Sequence, residues 1–348
     1  MDNLFYISRL LGLAAIAFII AMAWTPLLTH FLYKYRFGKQ IRSDGAPIFK
    51  KMHQKKEGTP TMGGALVWGT VLVICLFFWW LAKIGHGTIL EKFNFLSRQE
   101  TLLPLGVLVA CALVGLADDI LGVLKIGPKG GGLTIWHRIL IYTIIAFFGA
   151  WWFFYKLQWD LVHVPFIGEF NIGFWYIPLF VFIIVATAFS VNEADGLDGL
   201  AGGVLLVAFS AYGVISFAQG KMDLAAFCAV IIGALLAFLW FNIHPARFFM
   251  GDTGAMSLGV TLGVIAMLTN AFLLLPFIGF ILILESGSVI IQVISKKLRG
   301  KKVFFSTPIH HHFEALGWPE TKVTERFWII SGVAAVIGLI LALIDKLV

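Results

Sequence analysis

Charge is what this sequence has least of. Only 13% of its 348 residues are Asp, Glu, Lys or Arg, too few for the two or three soluble domains that such a length would otherwise suggest. Cysteine is as scarce. Cys75, Cys111 and Cys228 each sit inside an apolar run, which leaves no disulfide framework and no metal-binding cysteine spacing. Alternating segments of about 10 residues, the mark of a membrane β-barrel, are missing. So are a nucleic-acid-binding module, a low-complexity tract and any repeat with a period of roughly 20 to 50 residues.

What the chain has instead is hydrophobic length. Hydrophobic residues make up 59% of it, in runs close to the roughly 20 residues that carry a helix across a bilayer core. Ten runs are readable, at 10–33, 61–84, 101–117, 138–156, 173–190, 200–218, 224–241, 255–275, 276–296 and 326–345. The expected fold is an all-α integral membrane protein, one polytopic domain over residues 1–348 with about ten transmembrane helices. The split between the eighth and ninth runs rests on Pro276, and a proline in a membrane helix either turns the chain or only kinks it. The "AMA" at 21–23 imitates a signal-peptide cleavage site. The following segment, 34–56, holds eight Lys and Arg that would have to be translocated, so the first run is expected to stay as a helix.

Orientation follows from the basic residues. Odd-numbered loops take 19 Lys and Arg and all other segments take 7, so the positive-inside bias puts odd loops in the cytoplasm and, with an even number of spans, both termini outside. The net charge of +7 comes from the first and ninth loops. Topological anchoring and attraction to anionic membrane lipids explain most of it, and steering of anionic substrates is a plausible addition.

Polar residues collect in four places. Asp118 and Asp119 open the third loop; Asn192, Glu193, Asp195 and Asp198 fill the fifth; Asn242, His244, Arg247 and Asp252 lie in the seventh; His310, His311 and His312 lie in the ninth. All four fall on the basic side, which implies a cytoplasmic-face active-site cleft. Carboxylates gathered with histidines and glycine turns suit a divalent cation handling phosphate, since Mg²⁺ prefers one or two carboxylates with water and phosphate oxygens. Structural readings compete with each cluster. Asp118 and Asp119 also suit an ordinary wet helix end, and adjacent side chains need not share a ligand. Asp195 and Asp198 suit N-caps of the sixth helix, Asp252 a cap of the eighth, and the glycines at 196, 199, 202 and 203 suit helix packing. Adjacent histidines suit phosphate contacts better than a zinc site. Glu285, inside the ninth span, either lines a wet groove or is a satisfied internal acid.

Taken together, "TPTMGG" at 59–64, "GLADD" at 115–119, "NEADGLDGLAGG" at 192–203, "FFMGDTGAMSLG" at 248–259 and "PIHHHFEALGWPE" at 308–320 resemble the polyprenyl-phosphate N-acetylhexosamine-1-phosphate transferase superfamily. The histidine loop with "GWPE" is similar to its bacterial phospho-N-acetylmuramoyl-pentapeptide transferase family. The resemblance implies transfer of phospho-MurNAc-pentapeptide from UDP-MurNAc-pentapeptide to undecaprenyl phosphate. The products would be lipid I and UMP, made with Mg²⁺ at the bacterial inner membrane by a homodimer. It implies a metal-binding Asp252 and paired acids Asp118 and Asp119. It further implies a nucleotide side formed by Asn192, Asp195 and Asp198, a uracil pair of Asn242 and Phe249, phosphate contacts from Lys125 and Lys129, and a sugar-peptide side at His310, His311 and His312. Lys129, just before the glycines at 130–132, aligns better than Lys125. The chain departs from the family's pattern at Glu193, Ala194 and His244, and the three glycines lengthen the third loop.

Two mechanisms fit these residues. In one, Asp118 deprotonates or orients the lipid phosphate, which attacks the donor's β-phosphate directly. In the other, an aspartate forms a covalent intermediate first. The rival functions are a sister enzyme moving GlcNAc-1-phosphate or a related sugar phosphate, and a non-enzymatic carrier. A carrier would place its charges near the bilayer midplane instead of at one interface.

Overall fold

The computed structural model describes residues 3–35, 37–38, 56–85, 87–98, 100–128 and 131–347. Lys129 lies outside these. The long apolar runs form helices because a chain without water can satisfy its backbone only internally. In chain order these are α1 (Asn3–Lys34), α2 (Ala65–Ile84), α3 (Leu102–Val123) and α4 (Ile135–Trp151), which a π-turn extends over Trp152–Lys156. After a hairpin of β1 (Leu161–Val164) and β2 (Gly168–Asn171) come α5 (Tyr176–Ala194), α6 (Leu200–Ala218), α7 (Met222–Asn242) and α8 (Gly251–Leu268). The chain ends with α9 (Phe280–Arg299), the short α10 (Ile309–Ala315) and α11 (Glu320–Asp345).

Among the described residues, nine helices are long and apolar enough to cross a membrane. A tenth crossing exists if the segment Phe272–Ile278 is counted with α9, to which it is bent by 87°. This corrects the expected boundary. The eighth span already ends at Leu268, and a separate bend falls at Gly279 inside the run expected as the ninth span. Pro276 sits in the first turn of the short helix Leu275–Ile278, where its missing N–H costs nothing. Hydropathy also stops several helices too early. Asp118 and Asp119 are in α3 instead of opening a loop, Asn192 and Glu193 are in α5, Asn242 is the last residue of α7, and Asp252 is in the first turn of α8.

The axis of the bundle is α8, in which every residue but Asp252 is buried. It lies between α3 and α5, while α7 packs on α1, α2 and α6. Close approach to α3 depends on Gly115, where a Cβ would lie 2.4 Å from the carbonyl oxygen of Asp252. The hydroxyls along α8 donate to backbone carbonyls, Thr253 to Ala112 at 2.8 Å and Ser257 to Thr253 at 2.6 Å, so no water is needed around them.

One helix is inverted. On α9, Glu285, Ser286, Ser288, Gln292 and Ser295 are buried while Ile290, Ile291, Val293, Ile294 and Leu298 are exposed. An apolar exterior and polar interior suit a helix with lipid on one side and a polar site on the other.

The bundle has two distinct ends. At one end stand the hairpin, the start of α1 and the end of α11. There Arg9 donates to Asn94 O at 2.9 Å and pairs with Asp223 at 3.1 Å, and His163 meets Asp345 at 2.6 Å. The opposite end gathers the ends of α3, α5 and α7 with the starts of α4, α6, α8 and α11. The polar motifs are all there.

Candidate active site

Arg138, in the first turn of α4, is the hub of that second end. Its Nε donates to Asp118 Oδ2 at 2.8 Å, one terminal nitrogen to Asn192 Oδ1 at 3.1 Å and the other to Asp252 Oδ2 at 2.9 Å. Asn192 in turn donates its amide to Asp252 Oδ1 at 2.7 Å, and Leu133 N donates to Asp118 Oδ1 at 2.6 Å. Side chains from α3, α4, α5 and α8 thus converge on a single guanidinium. Such a planar fork of donors matches several oxygens at once.

Asp119 points elsewhere, as adjacent helical residues must. It accepts from Thr61 Oγ1 and from Thr253 N, each at 3.0 Å. A carboxylate at the first turn of α8 satisfies an orphan N–H and favours the positive end of the helix. Gly251, with φ of 73°, makes room: a Cβ there would lie 2.7 Å from Asp119 Oδ2.

The N-cap reading for Asp195 and Asp198 does not hold. The N-cap of α6 is Gly199, in the left-handed region with φ of 77°. Asp195 accepts from Gly251 N at 3.1 Å, which ties the 195–198 turn to α8. Asp198 is buried and accepts from Lys56 Nζ at 2.7 Å and Ala246 N at 3.1 Å, and it meets His244 Nδ1 at 2.9 Å. Lys56 also pairs with Glu320. Nor does Asp252 cap α8 from outside, since it lies within the first turn.

Asn242 accepts from Gly199 N at 3.0 Å and donates to Phe248 O at 2.8 Å, so its amide holds two turns together. The neighbouring Phe249 is half-buried, with Lys56 Nζ 5.9 Å from its ring centre.

The three histidines have three different partners, as expected of side chains that do not share one ion. His310 Nδ1 lies 2.8 Å from Glu285 Oε2, both residues fully buried. His311 Nδ1 lies 2.7 Å from Glu314, and His312 accepts from Phe305 N at 3.2 Å and stacks on its ring. Burial opposes a charge on His310, but the Glu285 carboxylate outweighs it and leaves its pKa raised above the usual histidine range. Among the described residues, His310 Nε2 and Glu285 Oε1 have no partner. The ring nitrogen faces Gly196, where a Cβ would lie 2.3 Å away. Glu285 is therefore an internal acid paired on one oxygen only.

The 195–198 turn joins the histidine side to α8, and Arg138 joins α3, α5 and α8. Lys125 stands apart: it occupies the exposed turn after α3 with φ of 61° and, among the described residues, makes no hydrogen bond or ion pair to the cluster.

Among the described residues, two donor sets could hold a metal. Ligand atoms of Asp198, His244 and Glu320 lie within 4.8 Å of one another, but the Lys56 ammonium already bridges the two carboxylates and would have to leave. The other set is Asp118, Asp252 and Asn192, whose oxygens converge on one cationic group. All-oxygen donors with two carboxylates fit Mg²⁺, whereas an imidazole suits softer ions. The second set is the better fit.

Sequence reasoning missed Arg138, Lys56, Thr61 and Glu320 as site residues. Arg138 left one signal, an arginine at the first position of an apolar span, where a charge is costly unless paired. Lys56 and Glu320 were hidden among other loop charges.

The profile of glycosyl transferase family 4 matches residues 101–270. The chain is 42% identical over 350 residues to a phospho-N-acetylmuramoyl-pentapeptide-transferase of Chloroflexus aggregans (strain MD-66 / DSM 9485), covering 97% of this chain and 90% of that one. A protein of the same name from Geobacillus sp. (strain WCH70) is 39% identical over 327 residues, covering 93% of this chain and 95% of its own. One from Clostridium perfringens (strain 13 / Type A) is 40% identical over 317 residues, covering 91% and 93%.

Proposed function

This chain belongs to the phospho-N-acetylmuramoyl-pentapeptide transferase family and is a phosphotransferase of peptidoglycan synthesis, and we propose that it makes lipid I. It transfers phospho-MurNAc-pentapeptide from UDP-MurNAc-pentapeptide to undecaprenyl phosphate and releases UMP, with Mg²⁺. The observation that carries the reading is the convergence of Asp118, Asp252 and Asn192, from three membrane-length helices, on one cation at one end of an apolar bundle. A lipid acceptor needs its reactive head at a membrane interface. A nucleotide donor needs that interface to open to the cytoplasm. We therefore orient the Arg138 end towards the cytoplasm of a bacterial inner membrane, with the hairpin and both termini outside, and expect a homodimer.

An oxygen of the lipid phosphate attacks the donor's β-phosphorus while the bond to the bridging oxygen of UMP breaks, so one P–O bond forms as another is lost. Asp118 orients the attacking phosphate, and takes its proton if it arrives protonated. Asp252 and Asn192, with Asp118 beside them, would hold the Mg²⁺, which when bound supplies charge neutralisation for phosphoryl transfer. Asp119 fixes the start of α8 and so the position of Asp252. Asp195 and Asp198 shape the nucleotide side, where Phe249 offers a stacking face and Asn242 keeps that turn in place. Lys56, beside that ring, is a further cation on the same side. Lys125 and Lys129 are assigned to phosphates that bridge from the third loop. His310, His311 and His312 are assigned to the sugar-peptide side, His310 from beneath, since it is buried between Glu285 and Gly196.

The rival reading, a transferase of GlcNAc-1-phosphate or a related sugar phosphate, would use the same acids and differ at the histidine loop. Purified protein is incubated with undecaprenyl phosphate, Mg²⁺ and either UDP-MurNAc-pentapeptide or UDP-GlcNAc, and UMP is measured. Release only with the muramoyl-peptide donor is expected. Release only with UDP-GlcNAc would overturn the donor assignment, and no release with either would restore a carrier.

A further inference from the structure

We propose that Arg138 is a resident counter-cation, which competes with the divalent cation for Asp118 and Asp252 and is released to bind substrate phosphate when that cation enters. The inference rests on the divalent-cation reading above and adds a role for this residue.

Three observations carry it. All three guanidinium nitrogens are engaged, and two of them take the Oδ2 atoms of Asp118 and Asp252, the oxygens a divalent cation would need. One arginine against two carboxylates leaves a net charge of about −1 in a pocket where buried charge is expensive, so a purely structural pairing would be one to one. That is how Arg9 meets Asp223 at the other end. Finally, the Arg138 side chain keeps 20% of its surface exposed, as Asp252 keeps 19%, against 1% for Asp118. The arginine lies at the open side of the cluster and has a way out that Asp118 lacks.

Charge decides the direction of the exchange. With both a divalent cation and the guanidinium between the same two carboxylates, like charges would sit about 4 Å apart in a poorly solvated site, where repulsion is strong. The guanidinium leaves, and the nearest strong anions in a working complex are the phosphates of donor and lipid. Its fork matches phosphate oxygens as well as it matches carboxylates. Asn192 keeps its amide on Asp252 Oδ1 and so holds that carboxylate in place during the exchange. Before substrate arrives, Arg138 screens two carboxylates that would otherwise repel each other.

The test uses the full chain in detergent micelles and Mn²⁺ as the probe, read by electron paramagnetic resonance. Arg138→Met is expected to bind Mn²⁺ about 10-fold more tightly than the unmodified protein, because a competing cation is gone. Asp252→Asn is expected to lose the site. If Asp252→Asn binds Mn²⁺ as the unmodified protein does, the metal reading falls and this inference with it. If Asp252→Asn loses the site while Arg138→Met binds no more tightly, the metal reading stands and the competition is refuted. A second measurement needs no variant. Modification of Arg138 by phenylglyoxal, followed by peptide mass spectrometry, is expected to rise severalfold on adding Mg²⁺ without substrate. Unchanged or reduced modification would overturn the release.

Discussion

The two ends of the bundle use charge in opposite ways. At the hairpin end the ion pairs are one to one: Arg9 with Asp223, and His163 with Asp345, which also accepts from Phe166 N at 2.6 Å. At the other end two carboxylates share Arg138, and the buried Glu285–His310 pair keeps an unpartnered atom on each side. Pairing of the first kind balances charge, although Arg9 Nε too has no partner among the described residues. The second kind leaves negative charge and donors in excess, which is stable only where a ligand will meet them. On the proposed function, the difference separates groups that hold the bundle together from groups assigned to the chemistry.

Several substitutions can break or sharpen that contrast. The largest effect is expected from Asp252→Asn, which should lower UMP release by about 10³-fold or more, a loss of roughly 4 kcal/mol of transition-state stabilisation. The melting temperature should fall only modestly: the Asn oxygen still accepts from Arg138, while its NH2 meets the Asn192 amide that in the unmodified protein donates to Asp252 Oδ1. Retained turnover would put Asp252 with the structural pairs. Next is Gly115→Ala. A methyl group 2.4 Å from the Asp252 carbonyl must push α3 and α8 apart, which should cost about 1–3 kcal/mol in a denaturation assay and reduce activity along with stability. Unchanged stability would mean that the helices have slack at that point.

A pH experiment on Glu285→Gln is expected to give a smaller effect. Because the folded pKa of His310 is raised, the stability it contributes is complete below the ordinary histidine range and is lost as pH rises through the folded value. The melting temperature of the unmodified protein should therefore fall as pH climbs past the usual histidine range, and the Gln variant should show a flatter profile. Parallel profiles would remove Glu285 as the cause. The smallest effect belongs to Asp345→Asn at the hairpin end, where the partner His163 is 31% exposed. Stability should fall by no more than about 1 kcal/mol, with UMP release unaffected. A clear loss of turnover would erase the distinction between the ends.

The sequence revealed the spans well because the bilayer forces a long apolar run for each crossing. It revealed their ends poorly. Asp118, Asn192 and Asp252 interrupt the hydropathy of α3, α5 and α8, yet the helices continue through them because partners from other helices satisfy their side chains. The turn into α9 was misplaced for a related reason. Its buried face carries Glu285, Ser288 and Gln292, so its apolar pattern is weak; the preceding span ends at Leu268, before Pro276, and α9 is entered through a further bend at Gly279. Within the site, the acids were visible as a class, but their division of labour was not. Asp118 and Asp119 are neighbours in sequence, and only packing sends one to Arg138 and the other to the start of α8. Arg138 itself is a single basic residue whose three partners lie 20, 54 and 114 positions away, and no local pattern encodes such distances.

The most direct test of the two-ended arrangement is labelling from outside sealed cells with a membrane-impermeant maleimide. The native Cys75, Cys111 and Cys228 are all buried, so reporters are placed one at a time at two exposed positions. Ile167→Cys marks the hairpin, and Leu316→Cys marks the turn between α10 and α11. Ile167→Cys is expected to react in intact cells and Leu316→Cys only after permeabilisation. Reaction of both from the same side would contradict a cytoplasmic centre standing opposite an outer hairpin.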